Sequence, residues 1–95
     1  MEEAIVTVVF MIPTKTGAYT AKEFRNVTIN ARAPVKHLLP ALIEAFPEVG
    51  VDADDVDLLV QAPDGSSLSN VAIQNNSRLV IVPRYYGSGP LVKRN

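Results

Sequence analysis

Ala33-Pro34-Val35-Lys36-His37-Leu38-Leu39-Pro40-Ala41-Leu42-Ile43-Glu44-Ala45-Phe46-Pro47 is the one stretch of this 95-residue chain with helical periodicity. Val35, Leu38, Leu39, Leu42, Ile43 and Phe46 follow the i, i+3, i+4, i+7 spacing that gives a helix one apolar face. Pro34 suits the first turn, where the N–H it lacks has no partner in any case. Pro40 falls inside the pattern, removes a backbone hydrogen bond and predicts a kink or a restart. Pro47 and Gly50 are the stop signals.

Everything around this helix reads as strand. Ala4 to Ile12 is dense in β-branched residues, as in a strand buried on much of both faces. Pro13 to Ala18 is a turn, with Pro13 to stop the strand and Gly17 to permit positive φ. A second strand runs from about Tyr19 to Ala31, with Val27, Ile29 and Ala31 inward. Phe24 is out of phase with Val27, which predicts a β-bulge near Arg25-Asn26. The two strands therefore form a hairpin. After the helix, Val56 to Gln61 is a third strand, with Leu58 and Val60 on one face and Leu59 on the other. Ala62 to Ser67 is a turn, and Leu68 to Ile73 reads as a short helical turn whose Leu68, Val71 and Ile73 plug the core. Gln74 to Ser77 turns the chain into a last strand, Arg78 to Val82. The order β-β-α-β-β predicts an α+β roll, a mixed sheet wrapped over one helix.

Composition narrows the function classes. The length allows one domain, expected over residues 1–84 with an arm and suffix over 85–95, and 47% apolar residues suit a packed core. There is no cysteine, so no disulfide framework, thiolate nucleophile or cysteine metal site is possible. A net charge of −1 and a pI near 5.7 give no footprint for nucleic acid. Met1-Glu2-Glu3 lacks the basic region of a signal peptide, and Ala4 to Ile12 is too short to span a bilayer, so the expectation is cytoplasmic, with no membrane partner. Asp52, Asp54 and Asp55 lack the ligand spacing and closing glutamate of a calcium loop, and a solvated acidic loop is the expectation. His37 stands among apolar residues with no second histidine, as a surface or cap residue does. No nucleophile–base or metal constellation points to an enzyme, and no cofactor is implied.

Asp64-Gly65-Ser66-Ser67-Leu68-Ser69-Asn70-Val71-Ala72-Ile73-Gln74-Asn75-Asn76-Ser77-Arg78-Leu79-Val80-Ile81-Val82-Pro83-Arg84 resembles, without a gap, the segment of ubiquitin from its Asp-Gly turn to its tail arginine. The hairpin–helix half is similar to ubiquitin in architecture only. The helix phrase Val35 to Ile43, with its Leu-Leu-Pro, is similar to the YukD-like branch associated with type VII secretion. The resemblance implies a β-grasp fold and a bacterial ubiquitin-like protein. In that register Arg84 takes the place of the tail arginine that activating enzymes inspect, and Gly87 that of the first terminal glycine. Ser88 stands where a second glycine belongs, and Gly89 follows.

The role implied is a modifier precursor. A processing peptidase releases the glycine carboxylate after Gly87, at the Gly87–Ser88 bond, or alternatively after Gly89. An E1-like activating enzyme then adenylates it with ATP, and an E2-like conjugating enzyme passes it as a thioester toward target proteins. Glycine suits that end because it enters a narrow channel and leaves its carbonyl open. Loss of Ser88 to Asn95 takes the net charge from −1 to −3. Leu59 and Val82 are the candidate exposed apolar patch for partners, or else sheet residues of the ordinary kind. Tyr85 and Tyr86 either anchor the arm in a partner's channel or pack back on the domain. The competing readings are an ordinary terminal tail and a non-conjugated YukD-like adaptor of a type VII secretion system.

Overall fold

The computed structural model describes residues 2–64 and 73–84. In it β1 (Glu3–Pro13) and β2 (Tyr19–Asn30) form an antiparallel hairpin. The Thr14 N–H donates to the Ala18 carbonyl at 2.8 Å to close the turn, and Gly17 takes a φ of +88° there. The expected bulge is present. Val6 faces Val27 and Val8 faces Phe24, so Arg25 and Asn26 together oppose Thr7. Asn26 absorbs the extra residue with a φ of 60°, a left-handed conformation that asparagine tolerates better than most side chains. The extra residue resets the alternation, and both Phe24 and Val27 pack against the core.

Helix α1 (Val35–Ala45) starts one residue later than expected, with Pro34 at the N-cap rather than in the first turn. The Pro34 carbonyl accepts the N–H groups of His37 and Leu38, each at 2.9 Å. Neither a break nor a restart occurs at Pro40, and the helix runs through it. Leu38 and Leu42 on either side are buried against the sheet, while Pro40 and Lys36 face solvent. The Lys36 carbonyl, which would have accepted the missing N–H, is thus on the wetted side, which lowers the penalty. Val35 departs from the expected apolar face and is exposed, because the first residue lies beyond the sheet's cover. Phe46 caps the helix, a 3-10 turn follows at Pro47–Val49, and Gly50 ends it with a φ of 75°. A second 3-10 turn, Ala53–Asp55, leads into β3 (Val56–Gln61). Its Asp52 is a cap, the carboxylate accepting the Asp54 N–H at 2.9 Å. Strand β4 (Arg78–Pro83) closes the fold. Leu68 and Val71 lie outside the described residues, while Ile73 packs against the core as expected.

The sheet order is β2-β1-β4-β3, with β1 parallel to β4 and both outer pairs antiparallel. Among the described residues this is a small α+β fold, a mixed sheet with one α-helix on one face. Val6, Val8 and Phe10 from β1 meet Leu79 and Ile81 from β4 under Leu38 and Leu42. Phe10 is wholly buried, edge-on to Phe24 and Phe46 at 5.9 Å from each, and those two rings stack at 4.2 Å. The trio ties edge strand β2 to the end of the helix across β1. The turn before β4 is fastened to β1 as well. The Asn76 N–H donates to the Ile5 carbonyl at 2.8 Å, and the Ile5 N–H donates to Asn75 Oδ1 at 2.8 Å. Ser77 is fully buried, its hydroxyl accepts the Gln74 N–H at 2.9 Å, and its carbonyl accepts the Thr7 N–H. No described helix is long and apolar enough to cross a membrane.

Two substitutions test this account by urea denaturation. Pro40→Ala restores a helical hydrogen bond at an exposed position and is expected to stabilise the fold by about 1–3 kcal/mol. A loss of stability instead would show that the proline ring contributes packing. Ser77→Ala strands the Gln74 N–H and is expected to cost about 1–3 kcal/mol; an unchanged midpoint would contradict the role given to its hydroxyl.

Candidate functional site

The face of the sheet away from the helix carries the first group of candidate residues. Pairing fixes which side chains share it: Val9 lies opposite both Glu23 and Val80, and Val80 lies opposite Leu59. An open groove of about 400 Å³ runs over this face, and Leu59 and Val82 both line it. The structure thus brings the two expected patch residues together, but not with equal exposure. Leu59, on edge strand β3, is 43% exposed, whereas Val82 is only 5% exposed. The expectation of an exposed Val82 is corrected. It sits on the outer face but in an interior strand, between β1 and β3, and forms floor rather than rim.

Sequence reasoning missed the other apolar members of the groove, Val9, Met11, Ala21 and Val80. Their signal was present, since both faces of β1 read as apolar, but the position of β1 beside β4 was needed to join them. The rim is charged. Arg78 reaches across β1 to Glu23 at 3.3 Å, and Arg25 approaches the same carboxylate group at 3.5 Å. At the opposite edge Arg84 faces Asp57 at 3.8 Å. The groove thus has an apolar floor between ion-paired rims.

The second group lies where β4 ends. Val56 pairs with Pro83, and one residue further the Arg84 N–H donates to the Asp55 carbonyl at 2.8 Å. Arg84 Nε donates to the Asp54 carbonyl at 3.1 Å. The last described residue is therefore held to the body by main chain and side chain together. Tyr85, Tyr86, Gly87, Ser88 and Gly89 lie outside the described residues. His37 is exposed on the first turn of α1. Among the described residues no group of histidine, aspartate or glutamate side chains is placed to share a metal ion. Asp52, Asp54 and Asp55 are engaged instead through the capped turn and its carbonyls.

Compared with protein-family models, with curated proteins and with solved structures, the chain matches none of them.

Proposed function

We propose that this chain is a bacterial ubiquitin-like modifier precursor, cut after Gly87 and conjugated through that glycine. The observation that carries the reading is the placement of Arg84. It directly follows an interior strand, and its backbone is pinned at the end of the sheet. Gly87 follows three residues later in the sequence, and three residues of fully extended chain span about 10 Å. The strand order, with β1 and β4 parallel at the centre and one helix between the hairpin and β3, is compatible with a β-grasp. The sequence from Asp64 to Arg84 supplies the ubiquitin-like register.

The chemistry asked of this protein is small. A peptidase releases the Gly87 carboxylate. A partner enzyme adenylates it, ATP losing pyrophosphate, and a partner thiol displaces AMP to form a thioester. An acceptor amine or hydroxyl then displaces the thiol. The domain contributes no catalytic group in this scheme. It presents the groove with Leu59 at its rim and Val82 at its floor to partners, and Arg84, Tyr85 and Tyr86 to the enzyme that handles the arm.

The test is intact mass after co-expression with a processing peptidase, an E1-like enzyme and an E2-like enzyme of the class proposed. The expected result is loss of Ser88 to Asn95 together with higher-mass adducts on other proteins, both abolished by Gly87→Ala. A full-length mass unchanged by those enzymes, with Gly87→Ala behaving as wild type, would sink the reading and favour the non-conjugated adaptor. Loss of Pro90 to Asn95 alone, with a product ending at Gly89, would move the reactive end two residues on.

A further inference from the structure

Asp52, Asp54, Asp55 and Arg84 form one connected device at the root of the arm. The Asp52 carboxylate accepts the Asp54 N–H at 2.9 Å, and the Asp52 carbonyl accepts the Asp55 N–H at 3.0 Å. Those bonds wind Ala53–Asp55 into its 3-10 turn. The turn in turn presents the Asp54 and Asp55 carbonyls to Arg84, one to its side chain and one to its backbone. Carbonyls at the end of a helical turn carry partial negative charge and suit a guanidinium. The Asp57 carboxylate, at 3.8 Å and half exposed like Arg84 itself, adds a pair of the weak surface kind. The hydrogen bonds to the turn therefore decide the position of Arg84, and the ion pair only assists.

We propose that the Asp52-capped turn is a catch on Arg84, so that Asp52 is a positioning residue acting through the turn on the root of the arm. While the turn is wound, one edge of the guanidinium and the backbone N–H of Arg84 are committed to the body. A partner that reads Arg84 has to compete for it, and the chemistry that competes is an acidic pocket whose carboxylate binds guanidinium through paired hydrogen bonds. Half of the Arg84 side chain is open to solvent, so that competition begins from the exposed edge. The identity of the partner rests on the modifier reading above; the catch itself does not.

Trypsin is a direct probe, because it must take the Arg84 guanidinium into its own acidic pocket and draw the backbone out to cut before Tyr85. In a time course on the full-length protein, cleavage after Lys93 or Arg94 serves as the internal reference. Cleavage after Arg84 is expected to lag that reference in the wild type. Asp52→Ala is expected to speed it about fivefold relative to the reference, the factor that loss of one cap corresponds to. Asp57→Asn is expected to change it by less than about twofold. Asp52→Ser keeps a capping oxygen and is expected to remain as slow as wild type. Equal rates after Arg84 and the reference in the wild type would overturn the proposal. So would an Asp52→Ala protein no faster than wild type, or an Asp52→Ser protein as fast as Asp52→Ala. No conjugating enzyme enters the assay, so its outcome is separate from the mass measurement that tests the modifier reading.

Discussion

The pairing that the rest of the molecule depends on is the parallel ladder between β1 and β4, Thr7 to Phe10 against Arg78 to Ile81. Parallel strands cannot be joined by a tight turn, so the chain between them has to travel the length of the sheet and return. The hairpin strand, the helix and β3 are all spent on that journey. In return the first and last strands become neighbours at the centre, where Val8, Phe10, Leu79 and Ile81 are buried under the helix. The turn at Gln74–Ser77 protects the arrangement from slipping. It is bonded to Ile5 ahead of the ladder and to Thr7 at its first rung, so the register is set from the turn. A one-residue slip would exchange the core face of β4 for its groove face and is opposed by both.

Local chemistry made most of the elements legible. The β-branched density of β1, the alternation in β3 and the spacing of Leu38, Leu39, Leu42 and Ile43 all describe structure within a few residues. The bulge was legible for the same reason, since strict parity along a strand cannot place both Phe24 and Val27 inward without an inserted residue. Pro40 shows how local reasoning alone leaves a restart open where the helix in fact continues. Its penalty is real, but burial of Leu38 and Leu42 on the far side of the helix outweighs it. Val82 shows a different limit. Alternation tells which face a residue is on and says nothing of depth, which depends on strands distant in sequence. Arg84 and Asp54 are thirty residues apart and meet only because β3 and β4 pair, so the catch had no sequence signature.

The two faces of the sheet carry different constraints. The inner face is filled from both sides, and its exchange of Phe10, Phe24 and Phe46 contacts ties three elements together. The outer face is apolar along its floor but has no second layer among the described residues. Its small exposed area is kept down by long charged side chains laid along the rim, Arg78 and Glu23 on one side and Arg84 and Asp57 on the other. A protein with so little core has limited means of holding such a face open, and the ion pairs there act as cover as much as attraction.

The central ladder also determines how the molecule bears load. Because β1 and β4 run in the same direction, the chain enters at one end of the sheet and leaves at the other. Tension applied between Glu2 and Arg84 pulls the two strands past one another along their length. Their hydrogen bonds are then strained in shear and together, rather than opened in succession as in a hairpin pulled from its ends. A pull applied at Arg84 against the start of β1 is therefore borne by the middle of the sheet.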